Sequence, residues 1–177
     1  MPKSVSEYLL LEHQELSQLL NQLSQELKSL PATQNAPQAF ERLEKSGQRI
    51  AQTLHLHLEE EEQILYPALE KHIEGIETTL ERMRHELDTG EVVEKAFFDC
   101  LKRMVKNGAG RAEVMRSGRS YIQWVRGHLL NENGRLLPLV ERRLDPKTQK
   151  LVRRAMEELS QQTEARVAES LPQGHPA

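Results

Sequence analysis

The sequence predicts an all-α protein, one closed helical bundle followed by an additional C-terminal helix. Three observations lead there. Apolar residues recur in alternating steps of three and four over several long stretches. Those stretches are separated by short segments rich in Pro, Gly and Asn. The chain is also internally duplicated: His57-Leu58-Glu59-Glu60-Glu61, closed by Pro67, returns as His128-Leu129-Leu130-Asn131-Glu132, closed by Pro138, with every matched position shifted by 71 residues. Lys45-Ser46-Gly47 is matched by Arg116-Ser117-Gly118 at that offset, and His13 and His85 are offset by 72. The period exceeds that of solenoid repeats, and two copies suit a single closed bundle better than an array.

Each element follows from its own pattern. Ser4 or Ser6 can cap a first helix whose inward stripe reads Leu9, His13, Leu16, Leu20, Leu23, Leu27, Leu30. The segment Pro31 to Pro37 breaks the pattern. A second helix starts near Gln38 with the stripe Phe40, Leu43, Gly47, Ile50, Leu54, His57, Glu61, Ile64, Ala68, which runs through the histidine and the glutamate. His55, two residues from His57 and so roughly 200° around the helix, faces elsewhere. The third helix is the least regular. Ile76, Leu80, Met83 and Leu87 lie opposite His85, Val92, Ala96 and Cys100 lie nearer its side, and Gly90 marks a bend or a change of buried face. Asn107-Gly108-Ala109-Gly110 is the clearest turn signal, and it precedes a fourth helix with the stripe Val114, Gly118, Tyr121, Val125, His128, Glu132, Leu136, Leu139. Asp145-Pro146 forms an N-cap and first-turn pair for a fifth helix running to about Leu171. Its apolar face is Leu151, Val152, Ala155, Leu159 and Val167. The expected division is a bundle over residues 1–144, the C-terminal helix over 145–171, docked on the bundle or on a second subunit as in a homodimer, and a loose tail over 172–177 that includes His175.

Composition narrows the function classes. Twenty-four basic against 27 acidic residues leave net −3 and a pI near 6.2, which gives no electrostatic case for nucleic acid. Cys100 is the one cysteine, so no intrachain disulfide forms and a reducing compartment is expected. The residues Met1 to Ser6 carry no apolar signal region, and no run of about 18 apolar residues can span a bilayer. A cytoplasmic location, with no membrane partner, is the expectation.

The chemistry lies in the histidines and glutamates embedded in these stripes. In antiparallel helices joined near Gln34, His13 lies about 21 residues before the turn and His57 about 23 after it, level to within about 3 Å at ~1.5 Å per residue. The same count about Gly108 puts His85 near the height of Glu132 and about one turn from His128. Four histidines and two glutamates can therefore converge in one layer. Singly, an inward histidine is ordinarily a hydrogen-bonded core residue, and a His-x-x-x-Glu pair is ordinarily a surface i,i+4 contact. Two such pairs, each inside an apolar stripe and each preceded by a histidine at matched distance, point instead to metal. Buried ionised carboxylates cost several kcal/mol unless paired. Imidazole and carboxylate donors together suit Fe, Mn or Zn, and six donors fit two ions better than one.

At these residues the chain resembles the hemerythrin-like family, the HHE cation-binding domain. The family pattern is met by His13, His57 and Glu61, His85, then His128 and Glu132, and Leu65-Tyr66-Pro67 and Leu136-Leu137-Pro138 are similar to the segments that follow each pair. The resemblance covers about residues 5 to 142. It implies an up-down-up-down four-helix bundle holding an oxo- or hydroxo-bridged di-iron centre on those six residues. Oxygen-carrying hemerythrins have a further histidine where this chain has Thr89. Water, an exogenous molecule, or a carboxylate from Glu60, Glu81 or Glu86 would fill that place, Glu81 being favoured by its position one turn from His85. The favoured function is a non-heme di-iron protein that binds or senses oxygen, nitric oxide or iron itself. The alternatives are a di-iron enzyme acting on peroxide or oxidising iron, and a metal-free helical interaction module.

Overall fold

The computed structural model describes residues 2–31, 37–107 and 110–170, and among them every regular element is helical. Helix α1 (Val5–Ser29) begins at Ser4, whose Oγ accepts the Glu7 N–H at 3.2 Å while the Glu7 carboxylate reaches back to the Lys3 N–H. Of the two candidate caps it is therefore Ser4 that acts, and Ser6 is buried. Helix α2 (Pro37–Glu60) passes through a π-helical turn (Glu61–Leu65) into α3 (Tyr66–His72). Helix α4 (Glu77–Asn107) follows, then α5 (Arg111–Asn131), a second π turn (Glu132–Leu136) and α6 (Leu137–Arg143). Helix α7 (Pro146–Ser170) is started by Asp145, whose Oδ1 accepts the Lys147 and Thr148 N–H groups at 2.9 and 3.1 Å. The expected connection at 32–36, the centre of the turn at Gly108-Ala109, and the tail from Leu171 through His175 lie outside the described residues. Gly110 has φ +97°, a left-handed conformation that suits glycine at a helix start.

Helices α1, α2, α4 and α5 pack around a common interior, α1 against α2 and α5, and α4 against α5 and α2. The repeated glycines explain part of this closeness. A Cβ on Gly47 would lie 3.0 Å from Cε1 of Phe97, and one on Gly118 would lie 3.1 Å from its Cε2, so the two copies of the motif seat one phenyl ring between α2 and α5.

Each π turn begins at a glutamate of the repeat. Its bonds are the Tyr66 N–H to the Glu61 carbonyl and the Leu137 N–H to the Glu132 carbonyl. Pro67 and Pro138 follow directly. A proline has no N–H, and its ring needs room beside the carbonyl four residues back. The extra residue of a π turn gives that room without breaking the helix. The turn also moves the buried face on by one position. Ile64, Ala68 and Leu139, expected inward, are partly exposed, whereas Leu65, Leu69 and Val140 are buried, and Leu136 is buried as expected.

Helix α4 is more regular than its sequence suggests. Ile76, Leu80, Met83, Gly90, Phe97, Leu101 and Met104 are buried on one stripe that continues straight through Gly90, so the expected change of face does not occur and Val92 is exposed. His85 is about 200° from Met83 and stands on the outer surface, its side chain 85 % exposed beside Asp88. Among the described side chains of α7 the buried ones are Gln149, Val152 and Met156, while Leu151 of the expected face is exposed and Val167 lies outside the described side chains. Gln149 ties the helix down by donating to the carbonyls of Val140 and Leu144. Helix α7 lies on α1, α2 and the first π turn. No helix among the described residues is long and apolar enough to cross a membrane.

The apolar interior is in two parts. One contains Leu16, Leu54, Val125 and Leu129, and the other contains Leu9, Leu65, Leu136 and Met156. On α1, on α2 with its π turn, and on α5 with its π turn, the residues between the two parts are polar: His13, His57 with Glu61, and His128 with Glu132.

Candidate metal centre

The polar layer brings together five of the six expected donors. Its side chains are nearly inaccessible, with His13 and His128 at 3 %, His57 and Glu61 at 1 % and Glu132 at 0 % exposure. His13 Nε2 is 3.0 Å and His57 Nε2 3.3 Å from Oε2 of Glu132, and His128 Nε2 is 3.2 Å from Oε1 of the same carboxylate. Glu61 Oε2 sits between His57 Nε2 at 4.0 Å and His128 Nε2 at 3.8 Å. His57, Glu61, His128 and Glu132 each offer an atom within 4.8 Å of all the others.

Periodicity explains the convergence. Each histidine takes a stripe position that a leucine would otherwise fill, and each glutamate follows one turn later on the same face. His85 does not join, because the buried stripe of α4 runs along the opposite side. The alternative carboxylates do not replace it. Glu81 is exposed, Glu86 accepts from Asn131 Nδ2 at 3.0 Å, and Glu60 accepts from the Tyr8 hydroxyl at 3.0 Å. Thr89 is likewise on the surface.

Several neighbours escaped the sequence reading. His13 Nδ1 is 2.9 Å from Oδ1 of Asn133, and His57 Nδ1 is 3.0 Å from Oε2 of Glu12. Each partner takes the Nδ1–H, which turns the Nε2 atom toward the carboxylates. The Tyr66 hydroxyl donates to Glu61 Oε2 at 3.2 Å. His128 Nδ1 has no hydrogen-bond partner, and its ring lies instead under the indole of Trp124, centroids 5.7 Å apart and planes within 8°. Trp124 Nε1–H donates to the Glu86 carbonyl at 3.2 Å. The indole rests on Gly90, where a Cβ would come within 2.1 Å of the ring. Sequence spacing held one signal here, since Trp124 precedes His128 by four and shares its face. Trp124 and Gly90 also border a groove of about 420 Å³ between α2 and α4, with Leu54, Leu58 and Leu87.

Charges in the layer are strongly coupled. Burial lowers His57, but the carboxylates of Glu61, Glu132 and Glu12 outweigh it and hold the imidazole well above its ordinary range. Burial pushes Glu61 up, with the charge of Glu132 adding to it. Glu132 resists the same burial because His128 and His57 favour its ionised form, and it lies well below the usual carboxylate value. Burial, reinforced by His57 and His13, lowers His128. One position outward, burial and then the charge of Glu12 push Glu60 up to about 8.

The donor set fits metal on an observation internal to the layer. His13 Nε2, His128 Nε2, Glu61 Oε1 and Glu132 Oε1 are all buried and make no aligned hydrogen bond, meeting one another only at ion-pair distances. Buried polar atoms are normally paired, and leaving them unpaired costs about 1–3 kcal/mol each. Cations would satisfy these atoms together. His55, by contrast, lies off the layer. It is 62 % exposed and pairs with Glu94 at 3.0 Å, while Tyr121 donates to Glu94 at 3.1 Å.

The class that fold and site define is a helical bundle with a buried His/Glu group that could hold metal. The chain belongs to the hemerythrin family: the model of the hemerythrin HHE cation binding domain matches residues 4–140. Comparison with curated proteins and with solved structures returned no match.

Proposed function

We propose that this protein is a non-heme di-iron protein of hemerythrin type, an up-down-up-down bundle whose metal centre binds or senses oxygen, nitric oxide or iron itself. The observation that carries the reading is the set of buried, mutually facing donor atoms on His13, His128, Glu61 and Glu132 that make no aligned hydrogen bond. His13, His57 and His128 would hold the ions together with Glu61 and Glu132. Manganese or zinc would fit the same atoms, and iron is favoured by the family. Bound iron would supply a redox-active centre with coordination positions open to a small ligand. Glu12 and Asn133 orient two of the imidazoles, and Tyr66 orients a carboxylate. Among its described residues helix α4 presents no donor to the layer, so a ligand on that side would come from water or an exogenous molecule. The groove beside Trp124 gives a small molecule a place next to that side.

Elemental analysis of protein from an iron-replete host, never exposed to chelator, tests the metal. Iron is expected; folded protein with no transition metal would sink the reading, and zinc or manganese would change only the identity. Absorption spectra of the reduced protein mixed with oxygen, nitric oxide and peroxide then separate the functions. A stable adduct supports binding or sensing, sustained turnover of peroxide or ferrous iron supports the enzyme, and silence supports the interaction module.

A further inference from the structure

We propose that the two halves of this metal site are unequal, one holding its ion firmly and the other taking a labile, exchangeable divalent cation. The inference rests on the reading above and concerns how the donors divide. Glu132 separates them. Its Oε2 faces both His13 Nε2 and His57 Nε2, at 3.0 and 3.3 Å, while its Oε1 faces His128 Nε2 alone, at 3.2 Å. Around an ion with metal–nitrogen and metal–oxygen distances of about 2.1 Å, donors at right angles lie about 3 Å apart. All three distances match that spacing, and the halves differ in that one oxygen faces two imidazoles where the other faces one. Glu61 Oε2 is nearly equidistant from His57 and His128, so it favours neither half.

The supports differ in the same sense. His13 and His57 have their Nδ1 atoms fixed by Asn133 and Glu12, at 2.9 and 3.0 Å. Such outer hydrogen bonds fix the tautomer and ring orientation and are worth about 10–100-fold in metal affinity. His128 has no such bond at Nδ1, and behind it stands only the stacked indole of Trp124. Nor does α4 compensate. His85 is on the surface, Glu86 is engaged by Asn131, and at Gly90 the indole of Trp124 covers the helix. The second half thus has one imidazole, two shared carboxylates and no further protein donor among the described residues.

The test loads metal-depleted full-length protein anaerobically with Fe(II) and follows release to a competing chelator. Two steps are expected, one equivalent released readily and one retained, with affinities about 10–100-fold apart. His128→Ala should abolish the labile step and keep the other, and His13→Ala should do the reverse. Asn133→Ala is the milder variant if His13→Ala does not fold, and it should weaken the retained step alone. Two equivalents released together, or a labile step that survives His128→Ala, would overturn the unequal halves while leaving the di-iron reading intact. No iron retained in either step would overturn both.

Discussion

Gly90→Ala tests how Trp124 is seated above the metal layer. A Cβ there would lie 2.1, 2.3 and 2.5 Å from three atoms of the indole. Ordinary carbon contacts are about 3.5–4.0 Å, so the ring must retreat by roughly 1.5 Å. An indole is rigid, and this one is held on a second side by its stack on His128 and at its edge by the bond to the Glu86 carbonyl. Overpacking of this kind costs about 1–3 kcal/mol, and loss of the indole hydrogen bond adds about 1 kcal/mol. The better helix propensity of alanine returns about 1 kcal/mol. A net destabilisation of about 1–3 kcal/mol lowers the Tm by about 3–10 °C in a chain of this size. Gly127, on α5, is the control. A Cβ there meets nothing within 4 Å, so Gly127→Ala should raise the Tm by about 2–4 °C. The chain has a single tryptophan, so its emission reports this environment alone and should shift in Gly90→Ala but not in Gly127→Ala. A Gly90→Ala protein as stable as the parent, with unchanged emission, would refute the seating.

Three other outcomes follow from the geometry. His57→Ala should lose bound metal and thermal stability together, whereas His55→Ala, altering a side chain 62 % exposed, should keep its metal; equal losses would contradict the helical phase. Tyr66→Phe removes the hydroxyl that donates to Glu61, and denaturant titration of metal-depleted protein should show a loss of about 1–2 kcal/mol. The His55–Glu94 pair should show a pH window. Its bond to Glu94 raises His55, so that contribution is complete below the ordinary imidazole value of 6.5 and lost as pH rises through the raised value. Burial would raise Glu94, but His55 and Tyr121 outweigh it and lower it, so its contribution is complete above 4.5 and lost as pH falls through the lowered value. The stability gap between parent and His55→Gln should thus be widest between pH 4.5 and 6.5, at no more than about 1 kcal/mol for so exposed a pair. A gap that widened above neutral pH would contradict the sign.

The sequence makes the all-helical fold and most of the polar layer legible because His13, His57, Glu61, His128 and Glu132 occupy positions of unbroken apolar stripes. His85 misled for a physical reason. The buried stripe of α4 is completed by Gly90 and Glu94, which a hydrophobicity pattern skips, and the matched offset to His13 then suggested a face the helix does not bury. The shift from Ile64 to Leu65 and from Ala68 to Leu69 was hidden because one α-helical period was carried across Glu61. Pro67 was the visible mark of the interruption. Glu12 and Asn133 were missed because their orienting contacts cross between helices and leave no periodic trace, whereas Trp124, four residues before His128 on the same helix, left a trace that reads equally well as core packing.

The polar layer has a further consequence, because it is the boundary between two separately packed cores. Of the part beyond it, Val5 and Leu9 come from near the start of the described chain and Met156 from near its end, so that part closes only when distant segments meet. The other part draws mainly on residues from Leu16 to Leu129, most of them in adjacent helix pairs. Such regions can open as separate units with different free energies. Metal held by donors from three helices at the boundary would add its binding free energy to the cost of parting them, a clamp between two foldons. Amide exchange of Leu69, Val140 and Met156 should then slow on loading toward the rate of Leu20 and Val125, and unchanged exchange would show that the two cores open together even without metal.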